Sequence, residues 1–168
     1  LTDQHDRETD RYRCASRYQG AIVGGADSED NVSNTKVFGN EIADYGCYGS
    51  NALHHPTYFS IRSAPDDLIV EPWELGWNYL HDNHTKGGLH QFDQDDGCGD
   101  TNRPVIIRNN VIVDTGVYGI FPQLGQNGVV EHNVVSKIAD AAIYVGMSDN
   151  VHVAHNEVFD SVAGIEIE

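Results

Sequence analysis

Positive charge is scarce in this chain: 10 Lys and Arg stand against 26 Asp and Glu in 168 residues, a formal net charge of −16 with histidine neutral. A surface this acidic repels a nucleic-acid backbone and an anionic membrane surface, so neither is expected as a partner. Long hydrophobic runs are absent as well, and without an apolar stretch of about 18 residues no membrane insertion is expected. The first ten residues begin at Leu1 rather than Met and hold no apolar signal core, so the sequence alone suggests a removed leader or an excised segment. Leucine is sparse, with 7 Leu against 29 Val and Ile, and no capped run repeats at the helical period. That composition favours sheet over helix. What the chain does hold, 39% hydrophobic residues, is enough to bury one domain's core and excludes disorder.

Aligning the chain on asparagine exposes a pattern that occurs five times, with an aliphatic residue three before the Asn and another two after it. The copies are Val37/Asn40/Ile42, Leu75/Asn78/Leu80, Ile107/Asn110/Ile112, Val130/Asn133/Val135 and Val153/Asn156/Val158. They are spaced by 38, 32, 23 and 23 residues, so the minimal unit is 23 and the earlier copies carry insertions of 15 and 9. Four residues past each Asn stands Asp44, Asp82, Asp114, Lys137 or Asp160, a polar position that reads as a turn. A second apolar segment follows about ten residues on, within 88–92, 118–121, 142–145 and 164–167. Each unit therefore holds several short strands separated by turns.

A leucine-rich repeat shares the aliphatic-x-x-Asn-x-aliphatic signature, but its convex side needs an aliphatic eight residues before the Asn. The last three copies place Asn102, Gly125 and Ser148 there. What remains is an all-β, right-handed, single-stranded parallel β-helix of about six coils, with equivalent strands stacked about 4.8 Å apart. The Asn residues are expected to form its scaffold: Asn tolerates a left-handed backbone at a sharp turn, and stacked amides satisfy one another between coils. His132 and His155 precede two of these asparagines and are expected as stacked polar rings, with no third ligand to make them a metal site.

The five Asn motifs, with the segments 54–61 (HHPTYFSI) and 77–84 (WNYLHDNH), resemble the right-handed β-helix repeat proteins of the pectate-lyase-like superfamily over roughly residues 20–168. The resemblance implies the fold and leaves the activity open, because that superfamily holds lyases, hydrolases, epimerases, adhesins and tailspikes. It also implies that the strand face carrying an outward row of Tyr58, His90, Phe121 and Tyr144, ending in Glu166, is where a polysaccharide lies. His55 and Arg62 join Phe121 and Tyr144 as expected substrate contacts.

Two chemistries suit that face. A lyase needs a base to take the proton α to a uronate carboxylate, for which His90, Tyr58 and Lys86 are candidates, and a cation to hold the enolate charge, for which Ca²⁺, Lys86 and Arg62 are. A hydrolase needs two carboxylates across the glycosidic bond, which Asp93 with Asp95 or Asp96 supplies. The chain carries neither the arginine-bearing lyase signatures nor the spaced Asp, Asp-Asp and His set of polygalacturonases. Asp93, Asp95, Asp96 and Asp100, with glycines between, supply hard oxygen ligands for Ca²⁺, although their spacing is not that of an EF-hand; a solvated acidic loop fits them equally well.

An odd number of cysteines, Cys14, Cys47 and Cys98, leaves one unpaired or bonded to another molecule. Coil stacking brings Cys14 and Cys47 to corresponding turns, so a Cys14–Cys47 disulfide is expected in an exported protein. Residues 1–19 read as a segment entering the first coil and 20–168 as the β-helix, continued by further coils or by stacked copies, with truncation favoured over a filament. The functional expectation is an extracellular or cell-surface carbohydrate-active domain, a lyase or glycosidase with Ca²⁺ as a candidate cofactor. Its alternative is a non-catalytic structural or adhesive module.

Overall fold

The computed structural model describes residues 19–26, 34–46, 54–61, 72–93, 104–123 and 126–168. Sixteen strands are defined there and no helix. In chain order they are β1 (Gln19–Ala26), β2 (Lys36–Phe38), β3 (Glu41–Ala43), β4 (His54–Ile61), β5 (Trp73–Gly76), β6 (Tyr79–Asn83), β7 (Gly87–Asp93) and β8 (Val105–Arg108). They continue as β9 (Val111–Thr115), β10 (Tyr118–Gln123), β11 (Val129–Glu131), β12 (Val134–Ser136), β13 (Ala141–Val145), β14 (His152–Ala154), β15 (Glu157–Phe159) and β16 (Ala163–Ile167).

Every third strand pairs in parallel, which produces three sheets: sheet A is β1-β4-β7-β10-β13-β16, sheet B is β2-β5-β8-β11-β14, and sheet C is β3-β6-β9-β12-β15. One strand from each makes a coil, so the described chain forms five coils and begins a sixth. Pairing register follows the Asn alignment without a slip: Val37, Leu75, Ile107, Val130 and Val153 stack along sheet B, and Ile42, Leu80, Ile112, Val135 and Val158 along sheet C. Sheet A closes the core with Ile22, Thr57, Leu89, Ile120, Ile143 and Ile165. Because strand side chains alternate in direction, this inward register fixes the outward row one residue later.

The turn between sheets B and C explains the asparagines. Each ladder Asn donates from Nδ2 to the Oδ1 of the next, at 2.9 Å from Asn40 to Asn78 and from Asn110 to Asn133, and at 3.0 Å from Asn78 to Asn110 and from Asn133 to Asn156. The other Nδ2 hydrogen reaches a strand carbonyl, as from Asn110 to Leu75 at 2.9 Å, and each Oδ1 also accepts a backbone N–H of the coil before, as from Asn78 to Asn110. A buried amide is thus satisfied at every coil.

One expectation is corrected. The left-handed backbone lies not at the ladder Asn but one residue earlier, at Gly39, Trp77, Asn109, His132 and His155, with φ between 53° and 68°. The amide must face inward to reach its neighbours, so the residue before it absorbs the reversal. Left-handed conformations also occupy Asp44, Asp82, Asp114, Lys137 and Asp160, the polar positions four past each Asn. Beside them runs a second, interrupted ladder that the asparagine alignment misses. Asn83 accepts from the backbone of Tyr45 and donates to Thr115 Oγ1, and Ser161 accepts from the backbone of Ile138.

The longer spacings of the early coils fall on the connections either side of β4 and on the one that follows β7, which lead into or out of sheet A. Sheet A is also widest there, its strands shortening from eight residues in β1 and β4 to five in β13 and β16.

Candidate functional site: the outward face of sheet A

Register alone builds an outward row on sheet A: Tyr58 pairs with His90, His90 with Phe121, and Tyr144 with Glu166, while the pairing of Ile120 with Ile143 sets Phe121 beside Tyr144. Stacked coils press these side chains together as a column. The His90 ring lies flat on Phe121, with centroids 4.3 Å apart and planes 5° from parallel. Tyr58 meets His90 edge-on at 5.2 Å, and Phe121 meets Tyr144 the same way at 5.0 Å. Three further aromatics widen the row. His55 stacks on Tyr58 and tilts against His90, Phe92 flanks His90, and Tyr118 packs on both Phe121 and Tyr144.

Burial divides the cluster into a base and a surface. His55, His90 and Phe121 are buried, His90 being 5% exposed, whereas Tyr58, Phe92, Tyr118 and Tyr144 are half-buried and meet solvent. Gly146 permits one of these exposures: a Cβ there would stand 2.5 Å from the Tyr144 ring, which therefore lies across the bare glycine.

His90 sits in a hydrogen-bond chain. Its Nε2 is 3.3 Å from Gln123 Oε1 and its Nδ1 is 3.2 Å from His55 Nε2. A carboxamide oxygen only accepts, so His90 Nε2–H donates to Gln123, and His90 Nδ1 is left to accept from His55 Nε2–H; this tautomer is assigned from the network. Burial first, then the adjacent His55 and more weakly Lys86, hold His90 well below the ordinary histidine value against the pull of the Gln123 bond. The ring is neutral at physiological pH, and both nitrogens are engaged.

At the other end of the row the acidic groups gather. The Tyr144 hydroxyl donates to Glu168 Oε2 at 2.5 Å, a bond that, with burial and the nearby carboxylates, pushes Tyr144 up to about 12. Tyr118 is raised by burial and by the charges of Asp140, Glu166 and Glu168.

Of the residues expected from sequence to form the site, His55, Tyr58, His90, Phe121 and Tyr144 come together here. Lys86 precedes β7 by one residue and lies near enough to act on His90, yet no hydrogen bond joins the two. Asp93 is the last residue of β7. Arg62, Asp95, Asp96, Asp100 and the cysteines Cys14, Cys47 and Cys98 lie outside the described residues. His132 and His155 stack at 5.0 Å and 9°, as a turn column, and among the described residues no group of three or more His, Cys, Asp and Glu is placed to hold a metal ion.

Sequence reasoning missed Phe92, Tyr118 and Gln123. Phe92 and Gln123 share one outward row, and alternation from His90 and Phe121 would have found it. It also missed Gln91, which points into the core, where its amide has no partner among the described residues. A further exposed aromatic group rounds the corner between sheets B and C. There Trp77, 53% exposed, is met edge-on by Phe38 and covered on one side by the Arg108 guanidinium, while Tyr79 stacks on His81.

The sequence profile of the family described as right handed beta helix region matches residues 77–168, more than half of the chain. No curated protein and no solved structure matches it.

Proposed function

The chain belongs to the right handed beta helix family, and from that premise we propose an extracellular or cell-surface domain that binds a polysaccharide along the outward face of sheet A. β-Helix domains occur both in polysaccharide-acting enzymes and in non-catalytic proteins, so the face, not the fold, carries the argument. The observation that carries it is the continuous row Tyr58–His90–Phe121–Tyr144, in which two buried rings hold half-exposed tyrosines at either end while half-exposed Phe92 and Tyr118 flank it. Such a surface suits a ligand that is apolar on one face and rich in hydroxyls at its edge, as a sugar ring is. Gln123, the tyrosine hydroxyls and the flanking carboxylates supply the polar contacts that orient it.

Within this face, binding is better supported than bond cleavage at His90. A general base must present a lone pair to its proton, and the one on His90 Nδ1 already accepts from His55. His90 is therefore read as a positioning residue. A cleaving enzyme remains the second reading because Lys86 and Asp93 bracket the strand that bears His90, with Ca²⁺ a candidate cofactor at the acidic residues that follow.

A panel of neutral, uronate and amine-bearing polysaccharides tests both. Retention of the protein by at least one of them, lowered about tenfold or more in Tyr58→Ala and Tyr144→Ala, is the expected result. Unsaturated sugars or new reducing ends, formed with or without Ca²⁺, would move the reading to an enzyme. No binding to any member would remove it.

A further inference from the structure

We infer that the sugar unit seated over the C-terminal half of this face, at Tyr118 and Tyr144, carries a protonated amine. The inference rests on the polysaccharide reading and names the class of sugar that this end of the face selects. Two kinds of group meet there. The first is aromatic: the rings of Tyr118, Phe121 and Tyr144 pack mutually with centroids 4.9–5.0 Å apart, and the two tyrosines are half-exposed. The second is anionic, and it comes from two neighbouring strands of sheet A, the C-terminal end of β16 and the residue before β13. Glu168 holds the Tyr144 hydroxyl. Glu166 takes the position next to Tyr144 on β16. Asp140 leads into β13, tied by its backbone N–H to the carbonyl of Val117, the residue before Tyr118, at 3.0 Å.

Electron-rich ring faces bordered by carboxylates attract a cation twice over, through the ring quadrupole and through charge-assisted hydrogen bonds. Glu168 gives one oxygen to Tyr144 and keeps the other for a ligand. The same carboxylates repel a uronate, and the net charge of −16 reinforces that discrimination. A neutral sugar gains the ring contact and ordinary hydrogen bonds but no charge pairing. Lys86, a cation among the described residues near this face, belongs to its other half: its influence falls on His90, while Glu166 and Glu168 act on both Tyr118 and Tyr144 and Asp140 acts on Tyr118. The face is thus polarised along the coil axis, and its acidic end carries the half-exposed Tyr118 and Tyr144.

The discriminating probe is a pair of oligosaccharides with one backbone and different charge: a glucosamine tetramer and the N-acetylglucosamine tetramer. They are titrated calorimetrically into the full chain at a pH that protonates the amine and leaves the carboxylates ionised. The amine form is expected to bind about tenfold tighter or more, as two charge-assisted contacts imply. In the doubly substituted Glu166→Gln/Glu168→Gln protein that preference is lost, and the two tetramers bind with equal affinity. A control carrying Glu157→Gln and Asp160→Asn, equal in charge but away from sheet A, retains it. Equal or weaker binding of the amine form overturns the inference and leaves the polysaccharide reading standing. A preference that survives the sheet A substitutions also overturns it, since overall charge would then be the cause. If neither tetramer nor any polysaccharide of the panel binds, both readings fall together.

Discussion

Asn110 is fully buried, and each of its amide atoms is committed: Nδ2 to Asn133 and to the Leu75 carbonyl, Oδ1 to the backbone and side chain of Asn78. Asn110→Ala strands donors and an acceptor on both neighbouring coils. The expected loss is about 3 kcal/mol or more, read from chemical denaturation; a loss below about 1 kcal/mol would show that water or rearrangement replaces the ladder. His90 makes a prediction about pH. Its folded pKa is held well below the ordinary value of 6.5, so below that value the unfolded chain takes up a proton that the folded chain refuses. Stability present above it is then lost as pH falls toward the folded pKa. His90→Phe keeps the ring stack and removes the titration, so the decline of stability between neutral and mildly acidic pH should be shallower than in the parent; an unchanged slope contradicts the buried neutral ring. His81, raised by its bonds to Asp82 and Glu41, contributes with the opposite sign, a stabilisation lost as pH rises past its raised value, and its exposure leaves that contribution small.

At the scale of elements, the close passage of successive coils decides where side chains are allowed. Gly119 in β10 lies against the next coil so tightly that a Cβ would stand 2.6 Å from both the Ala142 carbonyl oxygen and Val135 Cγ1. Gly119→Ala is therefore expected to cost about 2–3 kcal/mol, visible as a lowered denaturation midpoint, because backbone has to move; a neutral effect would mean that the coils are less closely packed than described.

Periodicity made this level of the fold legible from sequence. The Asn spacing alone locates the turn between sheets B and C, and alternation from Leu89, Ile120 and Ile143 places His90, Phe121, Tyr144 and Glu166 on one face. What periodicity does not carry is depth. His90 and Phe121 alternate outward like Tyr58 and Tyr144, yet column packing buries the first pair and leaves the second half-exposed. Nor does an aligned Asn reveal which residue of its turn takes the left-handed backbone, since Trp77 and His132 accept it where propensity favours Asn. Gln91 stands where alternation demands an apolar residue, so that an amide occupies the core.

For the whole molecule, the three sheets are unequal in purpose. Sheets B and C have short strands joined by the ladder turn, and they hold the coil closed. Sheet A has the longer strands, receives the early insertions and carries the aromatic column, so the polysaccharide reading depends on it. The competing surface is the corner formed by Phe38, Trp77 and Tyr79, which is more exposed but spans only the first two coils described. A crystal structure of the chain with a bound oligosaccharide from the best-retained polysaccharide separates the two most directly. The account predicts the ligand lying along sheet A, with sugar rings against Tyr58, Phe92, Tyr118 or Tyr144 and polar contacts to Gln123 or the carboxylates beside it. Density on the Trp77 corner, with sheet A bare, would contradict it.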